Sequence, residues 1–195
     1  MAMNGNRRKR AALRDEILAR AKDQVLLMGI LNVTPDSFSD GGMFVDPRAA
    51  LEQAEALDDA GADIIDVGGE STRPGAAPVS AEDETARVLA VIPGLCASYS
   101  RIVSIDTYKA EVAHAAAEAG AVIINDVWGM TRDAGMAKVV AETDSAVVVT
   151  YNRGEIQPDI NIADDMRDFF ANGFAMAAAA GIPREHVILD PGVGF

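Results

Sequence analysis

Six times along this chain a short apolar run gives way, within about two residues, to a cluster of polar ones, and between successive runs lies a stretch of helical character, mostly alanine-rich. The runs are Val25 to Leu31, Ala62 to Val67, Arg101 to Ile105, Ala121 to Ile124, Ala146 to Thr150 and Val187 to Leu189. Near-continuous apolar strands are strands covered on both faces. Strand, helix, strand repetition demands a parallel sheet, because parallel neighbours need a crossover connection. Two architectures satisfy that. A doubly wound sheet carries a GxGxxG phosphate loop after its first strand, and no such sequence occurs here. A (β/α)₈ barrel instead sets polar residues at the carboxyl ends of many strands at once. Asn32, Glu70 to Arg73, Asp106, Asn125, Asn152 and Asp190 follow that pattern. The expected fold is α/β, a TIM-type barrel of which about six βα units are present; eight would need roughly 250 residues.

Local signals place the helices. Asp46 ahead of Pro47 reads as a cap followed by proline at the first helical position, with Gly61 as the stop. Ser80 with Asp83 resembles a capping box, opening a helix that Pro93 is expected to end. Gly120 closes a helix begun near Tyr108, and Asp164 or Asp165 is expected to cap a long helix terminated by Gly181 and Pro183. Residues 1–24 are expected to form a basic, solvated leader and a short helix, and residues 25–195 a barrel domain broken off after strand six.

Charge narrows the partners. Against 17 Lys and Arg stand 30 Asp and Glu, a formal charge of -13, which repels nucleic acid and anionic membranes over most of the surface. No apolar run reaches membrane-spanning length, and charged residues after MAMNGNRRKR break any signal-peptide core. The single cysteine, Cys96, sits among apolar neighbours and reads as a small packing residue. A reducing, cytoplasmic setting is expected.

Asp106, Asn125 and Asp190 end strands three, four and six. Each has an ordinary structural reading, and Asp106 alone reads equally well as a helix cap. Together, a carboxamide between two carboxylates can ring a flat heterocycle, matching paired N–H donors and acceptors. In GGESTRPG, two glycines and Pro74-Gly75 shape turns, while Ser71, Thr72 and Arg73 have the chemistry of an anion cradle. Asn32 is a neutral oxygen ligand suited to Mg²⁺, which keeps waters and phosphate oxygens in its shell. His114, His186, Met130 and Met136 read as structural, and Trp128 as a core or lid aromatic.

Five stretches, NVTPDSFSDGG (32–42), DVGGESTRPGA (66–76), SIDTYKAEVA (104–113), IINDVWG (123–129) and ILDPGVGF (188–195), resemble dihydropteroate synthase of the folate pathway. The first two are highly specific. The resemblance implies a transferase that joins (7,8-dihydropterin-6-yl)methyl diphosphate to p-aminobenzoate, releases pyrophosphate with the help of Mg²⁺, and belongs to a class of sulfonamide targets. By position it makes Asp106, Asn125 and Asp190 the pterin-ring ligands and puts Asn32 near the metal and pyrophosphate. Thr72 and Arg73 fall in its second mobile loop, and Asp36, Phe38 and Asp40 in the first, over the aminobenzoate; Asp36, Asp40 and Arg73 are the residues it places closest to the chemistry. It also implies a homodimer for a full-length chain.

Two departures stand out. Strand five runs into TYNRGEIQPDIN where many members carry a His-Met pair, and the family's strand-seven lysine and strand-eight Arg-x-His segment lie beyond the six strands seen here. The chain alone is therefore expected to be inactive and poorly soluble, a fragment or pseudoenzyme in isolation. Corrinoid-dependent methyltransferases share Asp106 and Asn125 but not the first two loops.

Overall fold

The computed structural model describes residues 2–34, 46–71, 77–98, 102–155 and 158–194. Helix α1 (Ala2–Arg20) precedes β1 (Met28–Asn32). There follow α2 (Pro47–Asp59), β2 (Ile64–Gly68), α3 (Ala81–Leu89), α4 (Ile92–Ser98), β3 (Ile102–Asp106), α5 (Ala110–Ala119) and β4 (Ile123–Asp126). The last third holds α6 (Met136–Thr143), β5 (Ala146–Thr150), α7 (Ile162–Ala180) and β6 (Val187–Asp190). The strands lie side by side in chain order, every neighbouring pair parallel. That order never reverses direction, as a doubly wound sheet must at its switch point, and it is the order of a (β/α)₈ barrel.

Alternation along the strands divides the core into two layers. Leu31, Ile65, Val67, Val103, Ile105, Ile124, Val147 and Val149 face the helices and pack with Ala50, Ala54, Val88, Val112, Ala116 and Val140. Ile64, Ile102, Ile123, Ala146 and Val148 occupy the opposite, concave face. What fills that face at its amino end corrects the expectation for the leader. Residues 2–20 form one helix of 19 residues, and Ile17, 2% exposed, packs on Ile64, Ile102 and Ile123.

The inward stripe of α1 runs through buried Arg10, Arg14 and Ile17 and half-buried Leu13, a spacing of three and four. Two of its four members are arginines, yet Arg10 and Arg14 are each only 5% exposed. Their charge finds a partner in the end of α6. Arg10 donates to the Thr143 carbonyl, and Arg14 donates to the Asp144 carbonyl at 2.5 Å and pairs with its carboxylate. Cations on the unpaired carbonyls of a helix carboxyl end satisfy both hydrogen bonding and the helix dipole. Arg20, paired with Asp63, ties the other end of α1 to the start of β2.

Other local signals worked out as expected, or shifted by a turn. Asp46 caps α2 by accepting from Arg48 N, and Ser80 caps α3 by accepting from Asp83 N. Pro93 does not end a helix; it stands in the first turn of α4, where its missing N–H costs nothing. Asn161, rather than Asp164 or Asp165, caps α7, its side chain accepting from the amides of residues 163 and 164. Cys96 is half-buried, and His186 is buried at the foot of β6. Burial, with Arg14 close by, lowers the His186 pKa and keeps the ring neutral.

Candidate active site

Strand register assembles the site. Asn32 pairs with Gly68, Gly68 with Asp106, and Asp106 with Asn125. Four consecutive strands thus contribute one rung at the carboxyl end of the concave face, continued by Val148 and Ile188. Asp190 stands one rung higher, paired with Thr150. The structure therefore brings Asn32, Asp106 and Asn125 into one row and sets Asp190 at the same mouth from β6. Asp36, Phe38, Asp40, Thr72 and Arg73 lie outside the described residues.

Gly68 gives the rung its depth. A Cβ there would sit 3.2 Å from Asn32 Oδ1 and 3.6 Å from Asp106 Oδ2, so any larger residue would fill the gap between the two side chains. Gly192, at φ +68, plays a different part after β6. A Cβ at that position would meet the Tyr151 carbonyl at 2.0 Å. The chain can turn beside β5 there only without a side chain, and the Gly192 amide then donates to Asp190 Oδ1 at 2.9 Å. Thr150 Oγ1 approaches the other oxygen, Oδ2, at 3.4 Å, so the Asp190 carboxyl group is fixed from two sides.

Asp106 is different in kind. Its Oδ1 is buried without a hydrogen-bond partner. Burial raises its pKa to about 8, reinforced by the charges of Asp66, Glu84, Asp126 and Glu70. At neutral pH the group is mostly the acid, one O–H donor beside a carbonyl acceptor. Asn125 also offers both kinds of atom. The rung thus presents donors and acceptors side by side with little fixed charge, which is what recognition of an amide-like heterocycle requires.

Two ionisable groups were not singled out from the sequence. Asp66, two residues before Gly68 on the same face of β2, is 4% exposed and accepts from Asn125 Nδ2 at 2.8 Å. Lys109, just past β3, forms ion pairs with Glu70 and with Glu84 of α3. Burial alone would lower the lysine pKa, but its bonds to Glu70 and Glu84 outweigh that and raise it. Lys109 thereby ties the end of β2 to the turn after Asp106. A signal for Asp66 was present: with Asp63 it is one of two carboxylates in the apolar run Ala62 to Val67, and the one that lies within β2. Lys109 carried none, since its partners are 39 and 25 residues away.

The rim is built from the loops after β3, β4 and β5. Asp126 accepts from the amides of Trp128 at 2.9 Å and Met130 at 2.8 Å, holding Met130 at φ 64. Burial lifts the Asp126 pKa to about 6 against those two bonds. Arg132 lies 4.5 Å from the ring centroids of both Tyr108 and Trp128, so Trp128 joins a cation–π stack. After β5, Tyr151 donates to Asp165 Oδ2 at 2.5 Å, Arg153 pairs with the same carboxylate, and Phe169 meets Tyr151 edge to face at 5.3 Å. The unusual strand-five loop is anchored to α7.

Comparison with known proteins identifies the family. A family model described as pterin binding enzyme matches residues 28–195. The dihydropteroate synthase of Streptococcus pyogenes serotype M3 is 48% identical over 169 residues, 87% of this chain and 63% of its own length. The crystal structure of a dihydropteroate synthase from Clostridium difficile, obtained with pteroic acid, superposes with a TM-score of 0.85 at 46% identity, covering 89% of this chain and 66% of that one. A Xanthomonas albilineans dihydropteroate synthase with 4-aminobenzoic acid gives a TM-score of 0.82 at 41% identity, over 89% and 63%. The chain spans about 63% of the length of the curated relative, and its six strands are six units of a TIM-type barrel. With the family model matching most of its length and a curated relative 48% identical, the chain belongs to the pterin binding enzymes.

Proposed function

We propose that this chain carries the pterin-binding part of a dihydropteroate synthase, the transferase of folate biosynthesis. Its substrates would be (7,8-dihydropterin-6-yl)methyl diphosphate and p-aminobenzoate. The observation that carries the reading is the aligned rung of Asn32, Gly68, Asp106 and Asn125, with Asp190 held across the mouth. It is supported by similarity to proteins whose structures were obtained with pteroic acid and with 4-aminobenzoic acid.

Asp106, Asn125 and Asp190 bind the ring, and in doing so fix the exocyclic methylene in place. The aminobenzoate nitrogen attacks that carbon, the carbon–oxygen bond breaks, and pyrophosphate leaves with the electron pair. The amine proton is lost to solvent or to the leaving group. No covalent bond to the protein forms. The first loop, with Asp36, Phe38 and Asp40, is assigned to the aminobenzoate, and Thr72 and Arg73 of the second to anion binding. Asn32 fits a Mg²⁺ carried by the diphosphate, because its Oδ1 borders the open space above Gly68 and such an ion needs few protein ligands. The metal would neutralise charge on the departing pyrophosphate. Cytoplasmic residence suits a protein with one half-buried cysteine.

Binding of pteroic acid, followed by its own fluorescence, tests the ring assignment. Asp106→Ala should weaken it by at least about 2 kcal/mol, roughly thirtyfold, because donors on the ligand are left unpaired. Unchanged affinity in that variant refutes the assignment. Turnover is to be measured in a barrel of eight strands, since the family's strand-seven lysine and strand-eight Arg-x-His segment are expected to contribute there.

A further inference from the structure

Asp66 sits one rung below the ring site, between Ile30 of β1 and Ser104 of β3, and is itself 4% exposed. Its Oδ2 accepts from Asn125 Nδ2 at 2.8 Å, and its Oδ1 is buried without a partner. Ser104 is its register partner on β3 and is fully buried. The Ser104 hydroxyl is near enough to oppose the rise that burial imposes on the Asp66 pKa, yet its Oγ makes no hydrogen bond. A carboxyl group left this poorly satisfied costs stability, and an apolar residue of similar size is often neutral or better. Its one well-formed bond points up, into the binding rung.

A carboxamide has two ends of similar shape and opposite chemistry, so its orientation must be fixed by what surrounds it. An ionised carboxylate can only accept. It therefore draws Nδ2 of Asn125 downward and leaves Oδ1 for whatever occupies the mouth. The neutral acid does the same when its proton sits on the unpartnered Oδ1, facing Ser104.

We propose that Asp66 is a positioning residue that fixes the Asn125 carboxamide with Nδ2 toward the sheet interior, so that the rung offers a ring ligand the Asn125 carbonyl oxygen. The site then selects a heterocycle that donates an N–H at that place and rejects an isostere that accepts there. This rests on the pterin reading for the identity of the ring, but the orientation of Asn125 is a property of the free protein.

Two measurements on the chain test it. With ¹⁵N-asparagine, NMR of the ligand-free protein should show an Asn125 Nδ2 proton exchanging with solvent at least about tenfold more slowly than those of the exposed Asn6. Pteroic acid titrations are then compared for wild type and Asp66→Leu. The leucine variant should keep or gain thermal stability, lose the slow Asn125 proton, and bind pteroic acid at least tenfold more weakly. A merely structural Asp66 predicts the reverse for binding, an affinity unchanged in a variant at least as stable. A leucine variant that folds and binds like wild type overturns the inference. So does an Asn125 amide as labile as Asn6 in the wild type, a result that needs no variant to fold. If the wild type shows the slow Asn125 proton but no affinity for pteroic acid, the pterin reading fails while the positioning role is upheld.

Discussion

The middle of the sheet and its two edges are built from the same near-continuous apolar sequence, and they end in opposite environments. Every residue of β2 and of β5 is buried. On β1 only Leu31 is buried, and Ile30 is 67% exposed. On β6 no residue is fully buried, and Leu189 is 41% exposed. Among the described residues β1 and β6 each have a single strand neighbour. The comparison shows that composition sets what a strand can bury, while a neighbour on each side decides whether it does. It also bears on the candidate site. The polar rung is deepest where strands are flanked on both sides, at Asp106 and Asn125, and Asn32 and Asp190 reach it from the exposed flanks.

The sharpest test of the comparison is a matched pair of deletions. Ile105 is fully buried between β3 and the helices, whereas Ile30 belongs to the open edge. Ile105→Ala should cost about 2–5 kcal/mol in urea unfolding, from lost transfer energy plus a cavity. Ile30→Ala should stay within about 0.5 kcal/mol. Equal costs would mean that the β1 edge is covered in solution.

Next in size is the helix that closes the amino end of the concave face. Arg14→Ala should destabilise by about 2–3 kcal/mol, because it leaves the Asp144 carboxylate and a carbonyl at the end of α6 without their cation. A loss below about 0.5 kcal/mol, read from the urea midpoint, would show α1 to be the detachable leader that the sequence suggests. That reading failed for a physical reason. A buried stripe is recognised by its apolar members, and here two of the four are arginines whose partners lie some 130 residues downstream.

Elsewhere the sequence was transparent in proportion to how local the physics is. The limits of β5, the caps at Asp46 and Ser80 and the stop at Gly120 each depend on a few neighbouring residues. The positions of Asp106, Asn125 and Asp190 at or next to strand ends were legible for the same reason. Asp66 and Lys109 matter through contacts across strands and helices, which no spacing along the chain encodes. Pro93 was misplaced because proline is compatible with both the end of one helix and the first turn of the next.

The centre of the sheet should also give the protein an unusual pH dependence. Folded Asp106 keeps its proton up to about pH 8, whereas in the unfolded chain it ionises near 3.8. Between those values the folded state holds the extra proton. The stability associated with it is fully present below about pH 4 and lost as pH rises toward 8. Asp126 adds the same sign over the narrower window from 3.8 to about 6. Thermal midpoints should therefore fall across this range in wild type and fall less steeply in Asp106→Asn, which cannot ionise. A wild-type midpoint that rises from pH 4 to 8 would contradict the burial of these carboxyls.

The smallest change in folding stability, and the most telling about the edges, is expected for Ile30→Lys. Ile30 faces the concave side one rung below Asn32 and pairs with Asp66 across β1 and β2. With Met28 and Leu27 it lines an apolar edge that is 36–67% exposed, and an uncovered strand edge of this kind recruits another strand. In sedimentation velocity the wild-type chain should associate more as its concentration rises, through β1 and β6. A lysine at position 30 should suppress that association by charge and hydration while leaving urea stability within about 0.5 kcal/mol. In a closed eight-stranded barrel the same side chain would be enclosed, and burying its ammonium would cost several kcal/mol. The one substitution therefore separates the two states: harmless and solubilising on an open edge, strongly destabilising where two more strands cover it. A wild-type chain that stays monomeric at all concentrations would show that the exposed apolar edge is not the surface through which these molecules meet.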